Sequence, residues 1–511
     1  MTPKSSISNL KSPFFWLKAL LLIALAALAA PQLWYPLWFD QGAFAACADI
    51  VRQGGVIFRD CFDVRGPAVV VAYLIPRLFS PSPVAIHVFD LLCQVVTAAL
   101  LGLLARRMWN RWAGIAAGAL YWLLYASMNY WAAAQAEGFA NLFFVLALYA
   151  AWRGMETGDQ TIEIQDIRFA LHPWWTLSGA CIGVLFWFKV PFVLIGLLPV
   201  LFIIFTAHSN QPAKLSEPTS TLKANHQFLF CNLQSVFVGA LAIFTLGILY
   251  FVLNGALANL WSQISYDVTT FNNVSLVYRI EWLRTTFWEE VLAFVSFGNT
   301  PTAGFKDTVT QVSILGRGYP FIFLLMAIGV LAGLARSSQR KATFYALGYF
   351  SLTVLIDLWQ GHFYRYHFVI VLPAMALLAA SDFGLPIAGF RSLIAPRQSP
   401  ISHLQFPTRQ FVIQSCKSIL WIAAVTGLAA AMLPWAYDAL DNALVRHKPV
   451  ETLYLESKLA PYSLVARVLA DQTLPQDRVA VFSDVPAINP LAQRLSGTRF
   501  PYVRPLQEAA D

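Results

Sequence analysis

Residues 39–82 read FDQGAFAACADIVRQGGVIFRDCFDVRGPAVVVAYLIPRLFSPS. This stretch hangs between two long apolar runs, Phe14 to Trp38 and 83–105. It carries Arg59, Asp60, Asp63 and Arg65 within seven residues. Ala43 to Arg52 has apolar residues at helical spacing, so it reads as an amphipathic helix lying in a membrane interface. Gly54-Gly55 ends it. A span needs about 20 apolar residues, so the shorter run 68–79 reads as a second interfacial helix. Asp40 stands at the end of a Trp-rich run. A lone carboxylate there would be a solvated end charge, but Asp60, Asp63 and Arg65 of the same loop accompany this one.

Outward from the loop the chain is apolar. Further runs lie near 113–130, 135–152, 174–190, 191–207, 234–254, 319–335, 342–359, 366–381 and 413–435. With the first two they give about 11 transmembrane helices. Lys189 and Pro191 break the long stretch 174–207 into a helix-loop-helix. The first run reads as an uncleaved span rather than a signal peptide. Of 511 residues 58% are hydrophobic and 12% charged. Soluble domains carry about 25% charged residues. The balance excludes a soluble enzyme, a disordered tail protein and a nucleic-acid binder. The net +8 reflects basic residues held on one membrane face. Lys4, Lys11, Lys18, Arg106, Arg107, Arg111, Arg336, Arg340, Lys341, Arg391, Arg397 and Arg409 all fall on the cytoplasmic side if the N-terminus is cytoplasmic. The C-terminus is then external, and 208–233 is a flexible cytoplasmic connection. The opposite face collects 39–82, 255–318, 360–365 and 436–511. Long loops of this kind tend to carry function.

Asp40-Gln41-Gly42-Ala43-Phe44, followed by Phe58-Arg59-Asp60-Cys61-Phe62-Asp63-Val64-Arg65-Gly66-Pro67, resembles the opening of the bacterial GT-C membrane glycosyltransferases. These are the protein O-mannosyltransferase and aminoarabinose-transferase-like enzymes, with the dolichyl-phosphate-mannose type among them. Ala136-Glu137-Gly138, Trp187-Phe188-Lys189-Val190-Pro191, Gly361-His362-Phe363-Tyr364-Arg365-Tyr366-His367 with Leu372-Pro373-Ala374, and Asp477 to Phe482 with Arg494 and Thr498-Arg499-Phe500 extend the likeness in order. Gln41 replaces the family's second acid, which disfavours an acid pair at 40–41. Arg65 replaces its usual Lys and keeps the charge.

The resemblance implies an all-α polytopic membrane fold that moves a sugar from a polyprenyl-phosphate donor to an acceptor hydroxyl on the non-cytoplasmic face. Asp40 is then the general base. Arg65, Lys189 and Arg365 are candidates to hold the donor phosphate. Asp60, Asp63, Glu137, His362, Tyr364 and Tyr366 are the supporting residues. The expected localisation is the bacterial inner membrane. Residues 1–435 would form the transmembrane catalytic domain and 436–511 a small external α/β subdomain, with a helix over 449–470 and a strand from Asp477 to Phe482. The acceptor, whether lipid, glycan or protein, is left open.

Bland alternatives stand beside these roles. Arg65 could simply pair with Asp60 or Asp63, Lys189 could snorkel, and Arg365 could sit in an aromatic belt. Asp90 and Asp357 fall inside apolar runs, where ionisable groups are functional candidates; His87 reads as packed or interfacial. Trp261, Tyr266, Tyr278, Trp282, Trp288, Glu289 and Glu290 suit either sugar stacking or an interfacial helix. No cofactor is required, and a divalent ion on Asp40 with Asp60 or Asp63 is an open alternative. Cys47 and Cys61 flank the first loop, where an oxidising face would permit a disulfide. A polyprenyl-linked glycan flippase or transporter would place its charges near mid-membrane. An O-antigen ligase would place them in a late loop. This chain concentrates them in the first.

Overall fold

The computed structural model describes residues 23–128, 132–157, 170–209, 218–266, 309–360, 365–383, 409–447 and 462–500 apart from a few single positions, with the short strand 162–163 and isolated positions between 275 and 284. The chain is helical almost throughout. α1 (Ile23–Trp34) ends in a 3-10 turn. α2 (Phe39–Arg52) and α3 (Pro67–Arg77) lie in the first loop. The membrane part continues as α4 (Pro83–Met108), α5 (Arg111–Ala126), α6 (Ala136–Thr157), α7 (Pro173–Phe188), α8 (Leu197–Ser209) and α9 (Pro218–Leu253). Short α10 (Leu257–Tyr266) follows, then α11 (Val309–Ala335), α12 (Arg340–Gln360), α13 (Leu372–Ala379) and α14 (Arg409–Leu440). A two-residue antiparallel hairpin, β1 (Ile162–Glu163) with β2 (Ala170–Leu171), joins α6 to α7.

Five helices among the described residues are long and apolar enough to cross a membrane: Pro83–Met108, Ala136–Thr157, Val190–Ala207, Leu229–Leu253 and Ser337–Gln360. Shorter apolar helices among the described residues, α7 among them, stand with these five. Two of the expected segments differ in detail. Pro373 interrupts the run expected over 366–381, which forms a 3-10 turn, Arg365–Val371, before α13 begins. Proline lacks the N–H that a continuous helix needs. Residues 208–233, expected as a loop, are largely helical, because α9 starts at Pro218. The break at Lys189-Val190-Pro191 is present: α7 stops at Phe188, Lys189 is extended, and a 3-10 turn leads into α8.

α4 shows how the bundle sits in its solvent. Val84, Val88, Leu92, Val95 and Leu103 form an exposed apolar stripe at helical spacing. The inner face carries His87, Asp90, Gln94 and Thr97, all buried. Polar groups inside and apolar groups outside invert the pattern of a water-soluble helix, and the inversion is stable only against lipid. Asn110 caps α5 by accepting from the backbone N–H groups of Trp112 and Ala113, which lets α4 and α5 turn back sharply. α7 and α9 cross at contact distance. A Cβ on Gly179 would lie 1.9 Å from the Val236 carbonyl oxygen.

The C-terminal segment holds α15 (Tyr462–Gln472), β3 (Arg478–Val479), α16 (Ile488–Ala492) and β4 (Leu495–Ser496). β3 and β4 pair in parallel, Arg478 opposite Leu495. The expected strand is therefore two residues long, and the described helix starts at Tyr462; residues 449–461 lie outside the described set. The segment packs on α2. A Cβ on Gly42 would lie 2.4 Å from the Ala487 nitrogen, so only glycine lets α2 and α16 meet this closely. The Tyr462 hydroxyl donates to the Leu37 carbonyl at 2.8 Å, and the Phe62 N–H donates to the Arg499 carbonyl at 2.7 Å.

Candidate active site

α2 begins at Phe39, four residues earlier than the sequence periodicity suggests. Asp40 thus sits in its first turn, where the helix dipole favours a carboxylate. It is buried, and its Oδ1 lies 2.6 Å from Arg65 Nη2. The Asp63 Oδ1 accepts the Arg65 backbone N–H at 2.8 Å and lies 3.8 Å from Arg65 Nη1. Arg65 Nη2 also donates to the Tyr366 hydroxyl at 3.2 Å, and the guanidinium stacks 5.4 Å above the Phe44 ring. One cation therefore ties together α2, the first loop and the turn before α13.

Gly66 explains how Arg65 reaches this place. Its N–H donates to the Phe188 carbonyl at 3.1 Å, and a Cβ there would lie 2.0 Å from the Trp187 carbonyl oxygen. The loop can lie against the end of α7 only without a side chain at this position. Pro67 then starts α3, as proline commonly does at the first helical position. A disulfide joins Cys47 to Cys61 and closes the loop onto α2.

The end of α7 delivers Lys189. Its Nζ donates to Glu137 Oε1 at 2.5 Å and to Gln360 Oε1 at 2.7 Å. Gln360 Nε2 in turn donates to Asp357 Oδ1 at 3.1 Å. His367 Nε2 lies 3.9 Å from Glu137 Oε1. Glu137 opens α6, and the turn before it is pinned by three other elements. Gln41 Nε2 donates to the Ala133 carbonyl, the Tyr73 hydroxyl donates to the Ala134 carbonyl, and Asp90 Oδ2 accepts the Ala134 N–H. Asp90 further accepts from Tyr125 and Gln94. Asp90 is thus a buried scaffold carboxylate beneath Glu137, away from the cavity lining. His87 is packed, with its Nε2 2.9 Å from the Tyr35 carbonyl oxygen.

Arg65 and Lys189 open into one cavity of about 750 Å³ including its mouth. Tyr366, His367 and Gln360 line it with them, against an apolar wall that includes Phe58, Trp187 and Leu260. Asp40 is bonded to Arg65 at the cavity's edge. Asp60 takes no part. It turns to Arg59, 2.8 Å away, and accepts the Val56 N–H, and the Arg59 hydrogen bond holds its carboxyl below the ordinary range. Asp63 behaves oppositely. Burial pushes it up to about 6 despite Arg65, and its Oδ2 has no hydrogen-bond partner among the described residues.

Arg365 enters the 3-10 turn directly before Tyr366, but its side chain, with His362 and Tyr364, lies outside the described residues. So do Tyr278, Trp282, Trp288, Glu289 and Glu290. Trp261 is exposed, and Tyr266 packs edge-on to Phe62 at 5.6 Å. Among the described residues no three His, Cys, Asp or Glu side chains are grouped to hold a metal ion. Gln360 joins the site without having been singled out by the sequence, beside Asp357, a candidate for its place in an apolar run, and His367, which closes the Gly361–His367 motif.

No protein-family model and no curated protein matches the chain. Its fold does match solved structures. ArnT from Cupriavidus metallidurans bound to undecaprenyl phosphate superposes with a TM-score of 0.53 at 15% identity, over 95% of this chain and 86% of that one. The apo form of the same protein gives 0.54 at 13% identity, over 95% and 87%. AglB from Archaeoglobus fulgidus, in complex with an inhibitory peptide and a dolichol-phosphate, gives 0.48 at 13% identity over 95% and 65%. At this identity the likeness shows that the chain shares the ArnT fold over most of its length.

Proposed function

We propose that this protein is a lipid-linked sugar transferase, with Asp40 as the general base and Arg65 and Lys189 as the donor-phosphate clamp. The observation that carries the reading is the meeting of Arg65 and Lys189, from distant parts of the chain, in one cavity beside a buried Asp40. ArnT, whose fold the chain shares, was crystallised with a polyprenyl phosphate, and that supports a donor of this class here.

The chemistry follows from the groups present. Both cations are paired to carboxylates, Arg65 with Asp40 and Lys189 with Glu137. A donor phosphate entering the cavity draws Arg65 toward itself by bidentate, charge-assisted bonds. That loosens Asp40, whose carboxylate then takes the proton from an acceptor hydroxyl as the hydroxyl oxygen bonds to the anomeric carbon. The bond from that carbon to the phosphate oxygen breaks on the opposite face, with inversion. The leaving phosphate keeps the electron pair, stabilised by Arg65, Lys189 and Arg365. The acceptor is a lipid, glycan or protein hydroxyl. A divalent ion is not needed for these steps. The Cys47–Cys61 disulfide supports placing the first loop on an oxidising, non-cytoplasmic face of the inner membrane, with the N-terminus cytoplasmic. Residues 1–435 then form the catalytic membrane domain and 436–511 an external subdomain.

The test is transfer of radiolabelled sugar from polyprenyl-phosphate donors in membranes, wild type against Asp40→Asn at equal expression. The variant is expected to lose about 10²–10⁴-fold in rate while still binding donor. Retained transfer moves the base to Asp63 or Glu137. Absence of transfer by wild type from any donor, with translocated lipid instead, overturns the enzyme reading in favour of a flippase.

A further inference from the structure

α10 presents Leu260, Gln263 and Ile264 to the same cavity, the i, i+3, i+4 positions of one helical face. Its other face carries exposed Leu257 and Trp261. On such a buried stripe an apolar residue is the expected choice. Gln263 is instead an amide, 5% exposed, and neither its Nε2 nor its Oε1 has a hydrogen-bond partner among the described residues. A buried amide with both ends unmatched destabilises the fold unless something else satisfies it. Every other polar side chain lining the cavity is engaged: Arg65 with Asp40, Lys189 with Glu137 and Gln360, Tyr366 with Arg65, and His367 beside Glu137.

We propose that Gln263 reads hydroxyl groups of the sugar on the lipid-linked donor. The inference rests on the glycosyltransferase reading above and names what that site recognises. The chemistry of the amide selects the ligand. A phosphate offers only acceptors, so it satisfies Nε2 and leaves Oε1 unmatched. A hydrocarbon chain satisfies neither. A hydroxylated ring, with neighbouring groups that both donate and accept, satisfies both ends at once. The cavity then divides by chemistry. Arg65 and Lys189 take the phosphate, the apolar wall with Phe58, Trp187 and Leu260 takes hydrocarbon, and Gln263 takes the sugar edge.

The experiment measures binding of two probes to the purified full-length protein by calorimetry. One is a free polyprenyl phosphate. The other is the same carrier bearing mannose, glucose, galactose or arabinose in turn, the tightest binder being retained. The variant is Gln263→Met, an unbranched apolar replacement, with Gln263→Leu used should the first not fold. The variant is expected to bind the sugar-loaded carrier about 10- to 100-fold more weakly, the loss of two neutral hydrogen bonds. Its affinity for the free carrier is expected to stay unchanged. Its thermal midpoint is expected to equal or exceed that of wild type, because an unmatched buried amide has been removed. Equal weakening of both probes assigns Gln263 to the phosphate or the chain and overturns the proposal. So does unchanged binding of both. If wild type binds the free carrier and no sugar-loaded form, the sugar reading falls while the phosphate clamp stands. If wild type binds neither probe, the glycosyltransferase reading fails and this inference falls with it.

Discussion

Asp63 is a fully buried carboxyl of the first loop. Burial raises its carboxyl from the ordinary 3.8 to about 6. The folded protein holds this proton more tightly than the unfolded chain does. Its contribution to stability is therefore complete below about pH 4 and is lost as pH rises through about 6. The size over that window is ~3 kcal/mol, at 1.36 kcal/mol for each pH unit. Asp63→Asn cannot ionise, so its unfolding midpoint should fall less than that of wild type between pH 4 and pH 7 in detergent. Identical pH profiles for the two proteins would refute this account of Asp63. At this scale Asp40, Asp63, Arg65, Glu137, Lys189 and Tyr366 are legible through the family resemblance of their motifs, and the chain does gather them. Gln360 is not legible, because its role comes from Lys189, which stands just past the end of α7 and far away in sequence. Gln263 does carry a local signal, an amide on the buried face of an amphipathic helix. That signal acquires meaning only once the burial of the face is known.

Elements bring these residues together by close backbone contact, and the contact at Gly66 governs the site. The first loop meets α7 through the Gly66 N–H and the Phe188 carbonyl. A methyl group at Gly66 would overlap the Trp187 carbonyl oxygen, at 2.0 Å. Gly66→Ala must push the loop off α7 and carry Arg65 away from Lys189. The expected result is a loss of about 1–3 kcal/mol in stability and a rise in KM for the lipid donor larger than the fall in kcat. A normal KM in a folded Gly66→Ala protein would show that the two cations do not need this contact. The disulfide works on the same loop from its other end. It closes a ring of about 15 residues, which stabilises by ~3 kcal/mol in the chain-entropy account. The double change Cys47→Ser with Cys61→Ser should lower the midpoint accordingly, and reductant should then have no further effect. Two helix breaks carry a proline signal: Pro191 and Pro373 each stand in the first turn of the element that follows the break. The extension of α9 through a polar stretch from Pro218 was not readable, because hydropathy reports where lipid is and not where a helix stops.

At the scale of the whole molecule, the first loop and the C-terminal segment form one cap. Gly42 meets Ala487, Tyr462 bonds to the Leu37 carbonyl, and Phe62 bonds to the Arg499 carbonyl and packs its ring tilted against Phe500 at 5.4 Å. They must share one side of the membrane. The opposite side is fixed by α12. This helix starts at Arg340 and ends at Gln360, which lines the cavity. At 1.5 Å per residue its length is about 30 Å, the thickness of a bilayer's hydrocarbon core. Arg336, at the turn before it, is therefore a membrane's width from the site. These lengths turn the orientation into a measurement. In a background lacking the free cysteines, Arg59→Cys and Asp477→Cys should both react with an impermeant maleimide added to intact cells, and Arg336→Cys should react only after lysis. Labelling of Arg336→Cys alone would invert the chain and place the cavity on the cytoplasmic face, where a disulfide would not persist. Labelling of Arg59→Cys without Asp477→Cys would contradict the shared cap, since two segments joined by backbone hydrogen bonds cannot lie on opposite faces.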